Sequence, residues 1–337
     1  MRILVTGAAG FIGYHLVEKL VKKDAKFQIV GLDNINDYYN LQLKKDRLSR
    51  CGISSFQDGI LKYSTVYENY SFIKMDIRDS NQLDKLFCSH QFNIVINLAA
   101  QAGVRYSLTK PEEYISNNIS GFLNILECCR NHSIKHLLYA SSSSVYGLSD
   151  QYPFSEKNNT DIPANLYGVT KKTNELMAFA YGNLYKLPTT GLRFFSVYGP
   201  WGRPDMALMI FTKAILNGSP IEIYNQGEHS RAFTYIDDIV FGIEKLLTRN
   251  LNQDKCCVYN LGSSTNVNLL HLIAILEKKI GNSANRILCP IQKGDIVNTS
   301  ADISKYENEF GIFPLTSIED GVNKYLDWYK EYYKVKF

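Results

Sequence analysis

No apolar run in these 337 residues approaches the roughly 20 that a helix needs to cross a bilayer, and the first residues follow a strand pattern without a signal-peptide core. The expectation is a cytoplasmic protein with no membrane partner. The seven cysteines (Cys51, Cys88, Cys128, Cys129, Cys256, Cys257 and Cys289) form no C-x-x-C pair, and their odd number suits reduced thiols rather than a disulfide framework. The six histidines are scattered without ligand spacing, so no metal is expected. Neither sign of charge is in large excess: 37 basic and 33 acidic residues leave +4, too little and too dispersed to argue for nucleic acid. An anionic ligand would have to be held locally. Internal repeats are absent, and the one low-complexity tract is the run Ser141 to Ser144.

What is present is an alternation. Short apolar runs begin at Arg2 ("RILVTG"), Gln28 ("QIVGLD"), Phe72 ("FIKMD"), Ile94 ("IVINLAA"), His136 ("HLLYASS") and Thr189 ("TTGLRFF"), with helical patterns between them. Near-continuous apolar strands separated by helices describe a parallel sheet buried on both faces, hence a doubly wound α/β (Rossmann) fold. The polar stretch from Ile35 to Tyr70, with a charged helical segment around "LQLKKDRL", reads as an excursion over the sheet. After Phe195 the pattern loosens into Gly and Pro turns, a helix over Leu208 to Asn217 and a strand over Ile221 to Tyr224, with "VYNLG" at Val258 returning to the sheet. The division expected is a nucleotide domain over 1–195, rejoined by 230–265, and a smaller interleaved C-terminal substrate domain made of 196–229 and 266–337.

"VTGAAGFIGYHL" follows the first strand at once and opens a helix with Ile12, Leu16 and Leu20 on one face. Gly7 permits a tight turn, Gly10 lets backbone approach a pyrophosphate at the helix amino end, where Phe11 and Ile12 lie, and Gly13 lets helix and strand pack closely. Asp33 ends the second strand 20 residues after Gly13, where a carboxylate accepts ribose hydroxyls and repels a 2′-phosphate; Asn34 follows it where an NADP site would place arginine. NAD is therefore expected. Asp76, at the end of the third strand, suits an adenine contact or a solvated strand-end acid equally.

Tyr167 and Lys171 stand at i and i+4, one turn apart on a helix face. An ammonium beside a phenol favours phenolate, so Lys171 is expected to lower the Tyr167 pKa and let it serve as general base and acid. With the glycine turn, Asp33, "NLAAQAGV", the serine run before "VYG" and "RFFSVYGP", these residues make a chain that resembles, over essentially its whole length, the extended short-chain dehydrogenases/reductases acting on nucleotide sugars. The resemblance implies cofactor contacts from Ile77, Ala99 and Ala100. It also makes Ser142 the catalytic hydroxyl that hydrogen-bonds the sugar O4 together with Tyr167, while Ser141 is left to a structural role.

Within that family, 4,6-dehydratases carry an Asp-Glu pair where Ser143 and Ser144 stand, and UDP-glucuronate decarboxylases carry Glu at Ser144. Their absence leaves oxidation and re-reduction at one carbon: 4-epimerisation through a 4-keto sugar. "LDNINDYYNLQLKKDRL", "QAGVRYSL" and "YGPWGRPDMA" look closest to UDP-glucuronate 4-epimerases, which implies that Ser142, Ser143, Ser144, Ser196 and Arg203 receive the C6 carboxylate, with Arg105 a further candidate. Arg231 matches the arginine that holds the UDP diphosphate; where a second is expected, "QKGD" offers Lys293. The alternatives are an epimerase of UDP-glucose or UDP-N-acetylglucosamine, and a regulator that binds dinucleotide without catalysis. A homodimer is expected, paired through helices after Ser107 and after Tyr167, although packing on the sheet explains their apolar faces equally.

Overall fold

The structure, a computed structural model, describes residues 1–251, 255–292 and 294–337. In chain order the first half runs β1 (Arg2–Thr6), α1 (Phe11–Lys23), β2 (Gln28–Asp33), α2 (Leu41–Arg50), β3 (Leu61–Tyr63), β4 (Tyr70–Lys74), α3 (Ser80–His90), β5 (Ile94–Asn97), the short helices α4 (Tyr106–Thr109) and α5 (Pro111–Tyr114), a π-helical turn (Ile115–Ser120), α6 (Gly121–Asn131), β6 (His136–Ser142), α7 (Leu166–Tyr185) and β7 (Thr189–Phe194). The second half adds β8 (Ser196–Tyr198), α8 (Ala207–Asn217), β9 (Pro220–Ile223), β10 (Ser230–Arg231), β11 (Phe233–Tyr235), α9 (Ile236–Leu246), β12 (Cys256–Leu261), β13 (Val267–Asn268), α10 (Leu269–Ile280), β14 (Asn285–Leu288), α11 (Ser304–Phe310) and α12 (Ile318–Tyr333).

Eight strands form one sheet in the order β12-β7-β6-β5-β1-β2-β4-β3, parallel throughout except for the β3 edge, which runs antiparallel to β4. Successive residues of a strand point to opposite faces, and here both faces are covered. Ile3 and Val5 of β1 join one core with Leu16, Val17 and Leu20 of α1 and Ile239 of α9. Leu4, between them, joins the other with Leu83 and Phe87 of α3 and Ile125 of α6. That is why all six expected strands are nearly unbroken apolar runs. The returning segment is β12, which pairs with β7 from Cys256 opposite Thr189 to Leu261 opposite Phe194. The excursion carries α2 and also β3, a three-residue edge strand whose half-exposed side chains give no periodic signal.

The first core continues without a break into the C-terminal elements, taking in Phe211 of α8, Ile223 of β9, Leu272 and Leu276 of α10 and Tyr325 of α12. Joints between the two parts are short: β8 pairs in parallel with β11, placing Ser196 opposite Phe233, and β10 pairs with β13. This layer stands over the carboxyl ends of β1, β6 and β7. Among the described residues no helix is long and apolar enough to cross a membrane, and no group of three or more His, Cys, Asp or Glu side chains is placed to hold a metal ion.

Candidate active site

A cleft opens along the carboxyl edge of the sheet. At one end the turn from β1 to α1 has Gly7 at φ +70°, and a Cβ there would stand 2.8 Å from the Ala99 nitrogen. A Cβ on Gly13 would fall 2.1 Å from the Gly7 carbonyl oxygen, so only glycine lets the helix start this close to the turn. No side chain caps α1 at Gly10. Its first amide groups, at Phe11, Ile12 and Gly13, therefore have no helical acceptor and face the cleft that these residues line. An uncapped helix amino end reached over glycine fits a dinucleotide pyrophosphate.

Asp33 also lines the cleft. Its Oδ2 accepts from the Ala9 amide at 3.1 Å and its Oδ1 from the Ile35 amide at 2.8 Å, with the buried Lys44 ammonium 3.9 Å away. Each oxygen retains acceptor capacity for a ribose hydroxyl. Asn34, Ile77, Ala99 and Ala100 line the cleft as well. Asp76 does not: it is bidentate to Arg78 (3.0 and 2.8 Å) and accepts from the Asn34 amide group at 3.0 Å.

Ser141 and Ser142 are the last residues of β6, and Ser143 and Ser144 open a 3-10 turn, so the serine run is a strand end directed at the cleft. The Ser142 hydroxyl donates to Ser144 Oγ at 3.2 Å and accepts from the Ser144 amide at 3.1 Å. Ser141 points the other way and donates to Glu175 at 2.6 Å, inside a buried pair in which Arg193 clasps Glu175 through two 2.8 Å bonds. Asn165 caps α7 by accepting from the Gly168 amide, which seats Tyr167 and Lys171 in the first two turns of that helix.

The expected lowering of the Tyr167 pKa by Lys171 is not what the site shows. Burial pushes the Tyr167 phenol above its ordinary value, and what pulls it back is the Ser142 hydroxyl and the Arg203 charge. Lys171 is fully enclosed, with Nζ 6.0 Å from the Tyr167 ring centre and donating to the Ala140 carbonyl at 2.9 Å; burial lowers its own pKa to about 8. The i, i+4 spacing brings the pair together, and each group responds chiefly to its own burial.

Arg203 enters the same cleft from the loop after β8. Asp205 takes its Nε at 3.0 Å and Nη2 at 2.8 Å, and Asp205 in turn accepts from the Tyr38 hydroxyl at 3.0 Å. Burial acts to raise the Asp205 carboxyl, yet the Arg203 fork outweighs it and holds the group below its usual range. Ser143 and Ser196 are half-buried at the margin, outside the lining, while Ser144 is buried behind Ser142.

The two remaining candidates lie outside that lining, Arg231 on β10 and Arg105 on the loop before α4, both in the neighbourhood of Asp295. Arg231 donates to the carbonyls of Ser230 (3.2 Å) and Val297 (2.6 Å); Arg105 is exposed, stacks 4.6 Å over Tyr224 and lies 3.8 Å from Asp295. Lys293 lies outside the described residues. Unforeseen in the cleft are Asn36, Tyr38, Tyr39, Lys44, Gln101, Asn117 and Met206. Four of these fall in "NINDYYNLQLK", where the density of Asn and Tyr just after Asp33 was the available signal.

A doubly wound sheet with an open glycine turn, a strand-end serine and a Tyr-Lys pair lining one cleft defines a dinucleotide-dependent enzyme of the extended short-chain dehydrogenase/reductase class. More narrowly, the chain belongs to the NAD dependent epimerase/dehydratase family, whose model matches residues 3–262, and NAD is its cofactor. It is 47% identical over 349 residues to Protein CapI of Staphylococcus aureus, covering 99% of this chain and 100% of that one. It is 42% identical over 347 residues to UDP-glucuronate 4-epimerase 2 of Arabidopsis thaliana, covering 98% of this chain and 76% of the relative. Among solved structures it is similar to the UDP-glucuronic acid 4-epimerase from Bacillus cereus in complex with UDP-glucuronic acid and NAD. That likeness has a TM-score of 0.88 and 34% identity, and covers 99% of this chain and 100% of that one.

Proposed function

We propose that this protein is an NAD-dependent UDP-glucuronate 4-epimerase, an isomerase that interconverts UDP-glucuronate and UDP-galacturonate through a 4-keto intermediate. The observation that carries this reading is the placement of Arg203 in one cleft with Tyr167 and Ser142, while Ser143 and Ser144 stand where elimination or decarboxylation would require carboxylates. Bound NAD supplies the reversible hydride acceptor. Tyr167 takes the O4 proton and later returns it, Ser142 hydrogen-bonds O4, and Lys171 keeps a positive charge beside the phenolate. Arg203, with its Nη1 edge not used by Asp205, offers charge-assisted donors to the C6 carboxylate, a grip at one edge that does not clamp the ring. Arg231 holds the diphosphate; Arg105 lies in the Arg231 region and outside the cleft lining, which speaks against the C6 role expected for it.

In this reading residues 1–195 and 230–265 serve the dinucleotide, and 196–229 with 266–337 serve the UDP-sugar. The product is a precursor for surface polysaccharide, made in the cytoplasm by a homodimer. One observation favours epimerisation of a neutral UDP-sugar instead: Asp205 already offsets much of the Arg203 charge. Proton NMR of the anomeric region decides, with UDP-glucuronate, UDP-glucose and UDP-N-acetylglucosamine supplied separately in the presence of NAD. UDP-galacturonate formed from the first alone is expected. Turnover of only the neutral sugars would move the assignment to them.

A further inference from the structure

Arg47 of α2 is completely buried, and its hydrogen bonds among the described residues go to neutral oxygens, not to a carboxylate. A guanidinium removed from water without an anion is costly unless its donors are satisfied in good geometry. Arg47 spends its Nη donors on two loops, while its buried Nε finds no partner among the described residues. Nη1 donates to the Ala9 carbonyl at 2.9 Å and the Tyr39 hydroxyl at 2.7 Å, while Nη2 donates to the Trp201 carbonyl at 2.5 Å and more distantly to that of Gly202 at 3.5 Å. Ala9 belongs to the glycine turn, and its amide is the one that binds Asp33. Gly202 precedes Arg203, and Tyr39 follows the Tyr38 that holds Asp205.

The loop end of this contact is itself strained. Trp201 sits at φ +61°, a conformation that a bulky residue adopts only when its surroundings enforce it. Enforcement comes from the Arg47 bond to its carbonyl and from rings on several sides: Tyr14 at 5.7 Å, Trp328 at 5.4 Å and Tyr332 at 4.9 Å. Tyr332 is in turn tied to α2 through Asp46 at 2.5 Å.

We propose that Arg47 is a positioning residue that fixes the dinucleotide turn and the Arg203 loop against each other, so that the grips on NAD and on the substrate's sixth carbon depend on one side chain. The inference rests on the UDP-glucuronate reading for its substrate arm only. The test compares wild type with Arg47→Met and Arg47→Lys in three measurements. These are the NAD dissociation constant, the KM for UDP-glucuronate at saturating NAD, and the inhibition constant of UDP, which lacks the sugar. The emission of Trp201 and Trp328, the chain's two tryptophans, reports whether the loop is seated.

In Arg47→Met the first two constants should each weaken about tenfold or more, UDP should hold within about twofold, and emission should shift to the red. Arg47→Lys should behave alike, because one ammonium cannot span both loops. Equal weakening of all three ligands, or no change in KM, would overturn the proposal and leave Arg47 a stability residue. Full rescue by lysine would overturn it too, reducing the role to charge. If wild type fails to turn over UDP-glucuronate, the functional reading has failed, and NAD affinity with tryptophan emission still decides whether Arg47 ties the loops.

Discussion

Tyr167 and Lys171 line one cleft yet respond to it in opposite senses: burial raises the phenol and lowers the ammonium. For Tyr167 the consequence is catalytic. Tyr167→Phe removes the proton carrier and little else, so kcat should fall by about 10²–10⁴ while NAD still binds. Steady-state kinetics beside a dinucleotide titration checks both halves. For Lys171 the consequence is also one of stability. Its pKa is about 8 in the folded chain against an ordinary 10.5. Below pH 8 both states hold the proton, and the folded state bears the full cost of a buried ammonium. Between 8 and 10.5 the unfolded chain holds more protons, so stability rises with pH. Lys171→Met should therefore be inactive but more stable than wild type at pH 7, with the advantage shrinking as pH climbs through that window. Urea unfolding at pH 7 and pH 10 measures it; a variant less stable at pH 7 would mean that the bond to Ala140 outweighs desolvation.

Between elements, the pair Glu175–Arg193 joins α7 to β7 directly behind the strand-end serines. Glu175 also accepts from Ser141, and Arg193 also donates to Tyr146 at 3.0 Å. Glu175→Gln leaves the buried guanidinium uncompensated, so unfolding in urea should show a loss of about 3–5 kcal/mol. Replacing both partners by methionine should recover much of it. A single-variant loss below about 1 kcal/mol would show that water or Tyr146 suffices for Arg193. What the sequence disclosed at this scale follows the same physics. β1 and β5 were legible because strands buried on both faces must be apolar at every position, and the glycine turn because Gly7 and Gly13 have no room for a Cβ. Lys44 and Arg47 were not legible. "LQLKKDRL" carries the charge of a solvated helix face, and it is the packing of α2 against the Asp33–Asn36 segment that buries Lys44 and against the glycine turn and the Trp201 loop that buries Arg47. The Tyr167–Lys171 spacing was legible, but its electrostatic outcome was not, since enclosure arises from residues distant in sequence such as Tyr114 and Arg203.

At the scale of the whole molecule, α6 and α7 lie against the same face of the sheet, and their outward sides are unusually apolar. Leu123 is 40% exposed, Leu176 58%, Phe179 64% and Leu184 67%, a concentration better covered by another chain than by water. In the proposed homodimer, a second copy of this chain packing the same helices in two-fold symmetry would cover both patches at once. Sedimentation equilibrium should then give about twice the 38.4 kDa chain mass, and Phe179→Glu should shift it toward the monomer. Phe179 follows Tyr167 by 12 residues, roughly 18 Å along the helix, so the charge is introduced well away from the reacting carbon. Activity per chain should survive dissociation at low temperature and be lost on warming, as α7 loses its external support and the turns carrying Tyr167 and Lys171 loosen. A wild-type chain that sediments as a monomer at tens of micromolar would remove the dimer and leave these leucines to be explained by another partner.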